Sequence, residues 1–419
     1  MAPAPKAPVK TTAKEAPKGK LAQFLAAGKK VLKTDSWKVT LDPDQMLESH
    51  PHVSTGSTVI DYLIGGVPNA HGVQPCPGFP RKRITQIWGS EGSGKSTIGL
   101  SSAAATIAAG GCVFYLDWEN AIMPDYAQAL GVPIGDESKF MMAQPSTLEE
   151  GIKLIQLAAA AGVDLIVIDS VGAAVPANIA QRSAEEAGEQ ARVGLAAKVW
   201  SEFLPHLRYI IGRSKSAVLG ISQIRAKIGG MGMGPQTEPA GGWAWKFYSD
   251  VRIEIRRIQQ EKTKFVNSLT NKTEERVTGA ITKAKMVKCK ISDSQGREEN
   301  FYLRQGEGID DTRTTLEIAI SHNVIRKGGA WYYYGEDGKY NGMEVMRKFF
   351  KSNRKEFLAL IAKVRPFLTK KTDEPPESDV DDEDIGEMVE VIANPLDAVA
   401  DGDMLGAIIG EKIDPSDDE

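Results

Sequence analysis

The chain has little of what staples a small domain together or loads it with metal. Its 419 residues include three cysteines, Cys76, Cys112 and Cys289, and five histidines. The cysteines are odd in number and far apart, with no C-x-x-C pair, and the histidines follow no ligand spacing. A disulfide framework and a structural zinc site are therefore not expected, and the thiols fit a reducing, cytoplasm-like compartment. No stretch reaches the roughly 18 apolar residues that a membrane helix requires. The opening segment MAPAPKAPVKTTAKEAPKGK lacks the apolar centre of a signal peptide. The expectation is a chain that neither spans a membrane nor is secreted. Internal repeats are also missing. What is present is average for a globular protein: hydrophobic residues make up 42% and charged residues 25%, which argues against fibrous or wholly disordered classes. The length allows one large domain or two to three ordinary ones.

The formal net charge of -4 conceals a division. Residues 373 to 419 hold eighteen Asp and Glu against one Lys, a balance of -17, and the remainder carries +13. A basic body with an acidic tail suits a chain that binds a polyanion, nucleic acid foremost, although a surplus of Lys and Arg is also an ordinary solvated surface.

Along the chain, residues 1–20 read as a flexible basic arm rich in Ala, Pro and Lys. Leu21, Phe24, Leu25, Val31 and Leu32 then recur at helical spacing, a stripe too short to bury itself. From Ile84 to Ile258 strands and helices alternate. The expected strands are Arg83–Trp88, Cys112–Leu116, Phe140–Met142, Leu165–Ile168 and Ala217–Ser222; the expected helices are Lys95–Ala109, one after Pro124, and Thr147–Ala161. That alternation predicts an α/β fold with a mostly parallel sheet covered on both faces, its ligands at the carboxyl ends of the strands. A smaller unit from about Phe301 to Pro366 contains Trp331-Tyr332-Tyr333-Tyr334 and a Lys/Arg-rich helix. Beyond Thr372 the composition turns to acid, Pro and Gly, and order is not expected there.

The strongest local signal is Gly89-Ser90-Glu91-Gly92-Ser93-Gly94-Lys95-Ser96, which satisfies G-x-x-x-x-G-K-[ST] and lies between an expected strand and an expected helix. Its glycines let backbone N–H groups turn onto phosphate oxygens, with the helix amino end adding partial positive charge. Lys95 would reach the β- and γ-phosphates, and the Ser96 hydroxyl would ligate Mg²⁺. Asp169, ending an apolar strand, is the natural second carboxylate for that metal. Glu119, ending the strand FYLD and preceding Asn120, suits a residue that orients or deprotonates an attacking water. An exposed loop acid is the competing reading.

Taken in order, these segments resemble a family. Ser54-Thr55-Gly56-Ser57, the phosphate loop, FYLDWENA (Phe114 to Ala121), LIVIDSVGA (Leu165 to Ala173), GLAAK (Gly194 to Lys198), SQIRAKIG (Ser222 to Gly229), GGWAWKFYSDVRIEIRRI (Gly241 to Ile258) and KMVKCKI (Lys285 to Ile291) follow one another as in bacterial RecA recombinases, cellular or phage-encoded. The resemblance runs from about Val53 to Val364, and Gly306-Glu307-Gly308-Ile309 with GAWYYY (Gly329 to Tyr334) is similar to that family's carboxyl-terminal domain.

The resemblance implies a RecA-type P-loop ATPase core over residues 46–300, a basic arm over 1–20, an amino-terminal oligomerisation helix and linker over 21–45, a small α+β DNA-gating domain over 301–370 and an acidic tail over 371–419. It implies ATP and Mg²⁺ as cofactors, with Gly89 to Thr97 and Tyr126 around the nucleotide and Tyr126 stacked on adenine. Glu119 would be catalytic, and Gln223, at the end of the apolar strand Ala217 to Ser222, would sense the γ-phosphate and pass its presence to the following loop. Lys288 and Lys290, two apart on an expected strand and so on one face, would reach the ATP of the neighbouring subunit. DNA contacts would come from Arg192, Lys198, Arg225, Lys227, Ile228, Gly229, Met231, Met233, Gly241, Gly242 and Lys246, the loop Ala226 to Trp243 supplying cations for phosphates and unbranched apolar side chains between bases. The segment Val175 to Val193, with Arg182 and Arg192 and the acids Glu185, Glu186 and Glu189, resembles the family's other DNA-binding loop, its ends facing phosphate. Phe247 matches a subunit-interface position, and Lys348, Lys351, Arg354 and Lys355 would face duplex DNA. Expected partners are single-stranded DNA, homologous duplex DNA, further copies in a helical filament, and a single-strand-binding protein with loading mediators; the expected location is the bacterial or phage-infected cytoplasm. A ring helicase on the same fold, and a mediator that uses ATP as a switch without strand exchange, are the rival readings.

Overall fold

The computed structural model describes residues 19–33, 47–180, 189–226, 237–266, 271–336 and 338–369. Two units divide the chain, Met1–Leu47 and Glu48–Glu419. In the first, α1 (Lys20–Leu32) contains no buried residue, and Leu21, Phe24, Val31 and Leu32 are exposed. Its last turn carries Lys29 and Lys30 before a left-handed Lys33, favourable charges at the negative end of the helix dipole. Residues 1–18 of the expected arm, residues 34–45 of the expected linker and the tail expected over 371–419 lie outside the described residues.

The second unit opens with β1 (His52–Val53), α2 (Thr58–Gly65) and β2 (Phe79–Pro80), which pairs with β1. The Ser57 side chain caps α2 by accepting from Ile60 N, as a serine N-cap does. The expected alternation follows: β3 (Ile84–Gly89), α3 (Lys95–Ala108), β4 (Val113–Asp117), α4 (Pro124–Ala129), β5 (Phe140–Ala143), α5 (Leu148–Ala160), β6 (Leu165–Asp169), α6 (Ala177–Ala180), α7 (Glu189–Ile211) and β7 (Ala217–Ala226). Then come β8 (Thr237–Pro239), α8 (Trp243–Tyr248), the long hairpin β9 (Val251–Val266) and β10 (Thr273–Cys289), β11 (Glu298–Arg304) and β12 (Gly308–Ile309). The large sheet runs β12-β11-β10-β9-β3-β7-β6-β4-β5, with β8 antiparallel on β7. From β9 to β5 every neighbour is parallel.

Both faces of the parallel region are buried, so its strands read as continuous apolar runs. One face holds Ile87, Leu219, Ile221, Val167 and Tyr115 against Ile98 and Ala103 of α3. The other holds Ile84, Val218, Ile166, Ile168 and Leu116 against Ile155 of α5, Trp200, Leu204 and Leu207 of α7 and Trp245 of α8. On α7 the buried positions Trp200, Phe203, Leu204, Leu207 and Ile211 keep the i, i+3, i+4, i+7 spacing of one helix face.

The boundary expected at residue 301 falls inside β11, whose Phe301 pairs with Thr282 in the large sheet. A smaller cluster follows, built from α9 (Asp311–Ser321), β13 (Arg326–Gly328), β14 (Trp331–Tyr334), β15 (Gly338–Asn341), α10 (Met343–Ser352) and α11 (Arg354–Thr369). Leu316, Tyr332, Met346, Phe350 and Leu360 pack there with Val59 and Tyr62 of α2. Buried Arg347 ties this cluster to the sheet by donating to Asp310 at 2.6 Å and Glu307 at 2.9 Å.

At the amino edge of the sheet Asp250 is 0% exposed and accepts from two guanidinium nitrogens of Arg208, with Arg83 at 3.6 Å. Removing one member of a buried pair leaves the other uncompensated. Asp250→Ala should therefore cost about 3 kcal/mol, the low end for such pairs because both arginines reach water. Urea unfolding at unchanged slope would show it as a lowered midpoint; an unchanged midpoint would refute the assignment.

Candidate nucleotide site and its neighbours

The phosphate loop leaves the carboxyl end of β3, and the adjoining strands end beside it in register: Gly89 pairs with Gln223 of β7 and Asp169 of β6 with Asp117 of β4. This is where an open α/β sheet binds ligands. Gly92 and Gly94 have φ of +64° and +93°, the left-handed region that costs glycine nothing. A side chain at Gly94 would meet Leu303 at 2.4 Å, and one at Gly89 the Ile255 carbonyl at 1.9 Å. Ser93 Oγ is buried and has no partner among the described residues, an orphaned polar atom that a phosphate oxygen would satisfy. Lys95 is 7% exposed, and its Nζ donates to the Ser90 carbonyl at 2.8 Å. Burial lowers its pKa, while Asp169, Glu119 and Glu91 act to keep the ammonium charged.

Asp169 Oδ2 accepts from Tyr115 OH at 2.8 Å. Burial raises its pKa to about 6 against the opposing hydrogen bonds from Ser96 and Tyr115. No cluster of three His, Cys, Asp or Glu side chains able to hold a metal exists among the described residues. A divalent ion here would depend on Ser96, Asp169 and the phosphates themselves, a donor set that suits Mg²⁺. Tyr126, expected against adenine, is half-buried with its hydroxyl 2.8 Å from Thr97 Oγ1, and a side chain at Gly308 of β12 would meet Leu130 at 2.2 Å and Thr97 at 3.6 Å.

Glu119 does not end its strand. β4 stops at Asp117, and Glu119 sits in the following turn, next to left-handed Asn120. Asp117, 1% exposed, builds that turn: its carboxylate accepts from Glu119 N at 3.0 Å and Ile122 N at 3.3 Å. Glu119 Oε1 then accepts from Ser170 Oγ and from Gln223 Nε2, the latter at 2.8 Å. The two acidic and amide groups singled out separately in the sequence are thus joined by one hydrogen bond. Asp117 and Ser170 were missed; the available signal was an acid closing the otherwise apolar strand VFYLD.

Gln223 is not at a strand end either. β7 continues to Ala226 and pairs with β8, Ile224 opposite Pro239 and Arg225 opposite Glu238. The expected DNA loop is thus hairpin-like at its base. Its centre, with Lys227, Ile228, Gly229, Met231 and Met233, lies outside the described residues, as do Arg182, Glu185 and Glu186 and the side chains of Arg192 and Arg225. Gly241 and Gly242 have φ of +103° and +79° and open α8. On α8, Trp243 and Phe247 are 62% and 63% exposed and stacked at 6.1 Å, with Lys246 Nζ 4.7 Å from the Trp243 ring. Lys198 is exposed on α7.

Lys288 and Lys290 do not share a strand face by simple alternation. A register shift separates Met286 from Lys288, and β10 ends at Cys289, so Lys290 lies beyond it. Lys288 Nζ donates to the Lys246 carbonyl at 2.8 Å and the Phe247 carbonyl at 3.2 Å, occupying the carboxyl end of α8. Burial and then the charge of Lys290 lower its pKa. Lys288 pairs with Arg252, which pairs with Gln86, three residues or ~10 Å along the strand from Gly89. Both lysines therefore lie away from the phosphate loop of their own chain. Arg252 is itself buried, over the Trp88 ring at 4.4 Å and donating to Gln86 at 2.8 Å. Burial alone lowers its pKa to about 10, and Gln86 passes on to Ser222 at 3.0 Å, the neighbour of Gln223.

A family model described as the RecA N-terminal domain matches residues 26–310. Among curated relatives, Protein RecA of Limosilactobacillus reuteri (strain DSM 20016) is 38% identical over 316 residues, 75% of this chain and 79% of its own. Protein RecA of Levilactobacillus brevis is 38% identical over 300 residues, 71% of each chain, and that of Chlorobaculum parvum 36% identical over 320 residues, 76% of this chain and 83% of its own. With a family model over more than half its length and relatives at this identity, the chain belongs to the RecA family.

Proposed function

We propose that this chain is an ATP-dependent recombination protein that polymerises on single-stranded DNA in the ATP state, pairs that strand with homologous duplex and exchanges strands. The observation that carries this is the direct bond between Glu119 and Gln223. It joins a water-activating carboxylate at the nucleotide to the strand that leads into the DNA loop. In this reading the phosphate loop with Lys95 holds the triphosphate, and Ser96 with Asp169 would hold Mg²⁺, which when bound polarises the phosphates. Glu119 accepts the proton of the attacking water, and Gln223 switches from Glu119 to the γ-phosphate, so that the two nucleotide states differ in the direction of the loop base. Lys288 and Lys290, out of reach of their own nucleotide, act on that of an adjoining copy. Such a contact is head-to-tail and gives a helix when its rotation does not close. Arg192, Lys198, Arg225, Lys246 and the loop between β7 and β8 take the single strand.

The rival readings lose ground to the family membership. Negative-stain microscopy with single-stranded DNA and a non-hydrolysable ATP analogue should show open helical filaments. ATP with homologous duplex should then yield exchanged strands on a gel. Closed rings with directional unwinding would support the helicase, and nucleotide binding without DNA-stimulated turnover the mediator.

A further inference from the structure

Three tryptophans run from the nucleotide turn to the two helices that follow the DNA loops. Trp118 stands between Asp117 and Glu119, and its backbone N donates to the Asp169 carbonyl at 2.7 Å. Its ring meets Trp200 of α7 edge-on at 6.1 Å and 85°, and Trp200 meets Trp245 of α8 at 5.1 Å and 73°. Trp200 and Trp245 are both 0% exposed. The middle ring also reaches the active-site turn through its polar atom: Trp200 Nε1 donates to the Val171 carbonyl at 3.3 Å. Val171 follows Ser170, whose hydroxyl is bonded to Glu119.

The packing around these rings leaves no slack. A methyl group at Gly220 would come within 2.2 Å of Trp245, and one at Gly151 within 2.2 Å of Trp118. At Gly241 it would come within 2.4 Å of Val171 and 2.8 Å of Trp245, and at Gly242 within 2.8 Å of Ala197 on α7. The glycine pair that ends the loop between β8 and α8 is thus pressed at once on Val171, next to the Ser170 that bonds Glu119, on the tryptophan stack and on α7. Trp118 Nε1 and Trp245 Nε1 have no acceptor among the described residues. Forgoing an indole hydrogen bond in a buried place costs about 1–3 kcal/mol, so ring placement has prevailed over polar satisfaction twice in one stack. Close-packed interiors transmit displacement because they cannot absorb it.

We infer that Trp200 is a positioning residue: it couples movement of α7 and α8, when their loops engage DNA, to the orientation of Glu119 through Val171 and Trp118. The inference rests on the proposed DNA-stimulated ATPase. It requires two variants of the full chain, Trp200→Phe and Trp200→Leu, each assayed for ATP turnover without DNA and with saturating single-stranded DNA. Both keep an apolar side chain in the core but remove the indole N–H and the double contact.

DNA-free turnover should stay within about twofold of wild type while the DNA-stimulated rate falls about tenfold in the Leu variant and less in Phe, the size of an ordinary coupling energy. Affinity for single-stranded DNA, read by anisotropy with a non-hydrolysable analogue, should hold. A merely structural tryptophan would lower basal and stimulated rates in proportion, and that outcome, or an unchanged stimulation ratio in both variants, overturns the inference. Should the Leu variant fail to fold, the Phe variant decides alone by the same ratio. A wild-type ratio near one would instead identify the DNA-stimulated ATPase as the failed premise.

Discussion

Lys95→Ala should abolish ATP hydrolysis and leave the fold standing. The Nζ is enclosed by the loop it serves, with the Ser90 carbonyl as its hydrogen-bond partner and three carboxylates, Asp169, Glu119 and Glu91, favouring its charge. When a triphosphate enters, that ammonium exchanges one neutral carbonyl for developing negative charge on the phosphates. Loss of one such preorganised donor costs roughly 10²–10³ in rate, and here the donor also carries a full charge. Phosphate release should fall to background with and without DNA. The substitution removes one buried cation and one hydrogen bond while the rest of α3 stays packed, so the unfolding midpoint should move by only a few tenths of a molar in urea, a change of roughly 1 kcal/mol. Turnover within tenfold of wild type would remove the phosphate-loop assignment.

What could be read from the sequence, and what could not, divides along the range of the interactions involved. The strands β3, β4, β6 and β7 were legible because burial on both faces leaves continuous apolar runs, and the phosphate loop because its glycines obey a local backbone requirement. Strand ends were less so. Gln223 closes an apolar run in the sequence, but β7 extends through Ile224, Arg225 and Ala226 because β8 pairs with them from eleven to fifteen residues downstream. The pairing is long-range, and no periodicity within β7 announces it. Lys288 and Lys290 show the same limit. Alternation was the right rule for a regular strand, and a register shift before Lys288 with an end at Cys289 takes both residues outside it.

The boundary before Phe301 followed a change in composition, whereas the chain follows hydrogen bonds: β11 and β12 still complete the large sheet. The family resemblance supplied roles for Glu119 and Gln223, but it did not reveal Asp117, Ser170 or the three tryptophans. Those act on neighbours that only the folded chain brings together, such as Val171 beside Trp200.

Glu119→Gln should separate hydrolysis from every earlier step. The carboxylate oxygen that accepts from Ser170 and Gln223 has a counterpart in the amide oxygen of glutamine, so both donors keep their partner and the turn built by Asp117 keeps its shape. What disappears is the capacity to take a proton. General-base catalysis is worth about 10²–10⁴ in rate, so phosphate release should drop by that factor while nucleotide affinity holds. If hydrolysis is what releases DNA, the variant should also remain on single-stranded DNA far longer than wild type after a chase with excess competitor. The two readouts bear on different claims. Undiminished hydrolysis would mean that another group activates the water. Lost hydrolysis with unaltered release would mean that hydrolysis is not what frees the DNA, since the variant keeps the Glu119–Gln223 bond.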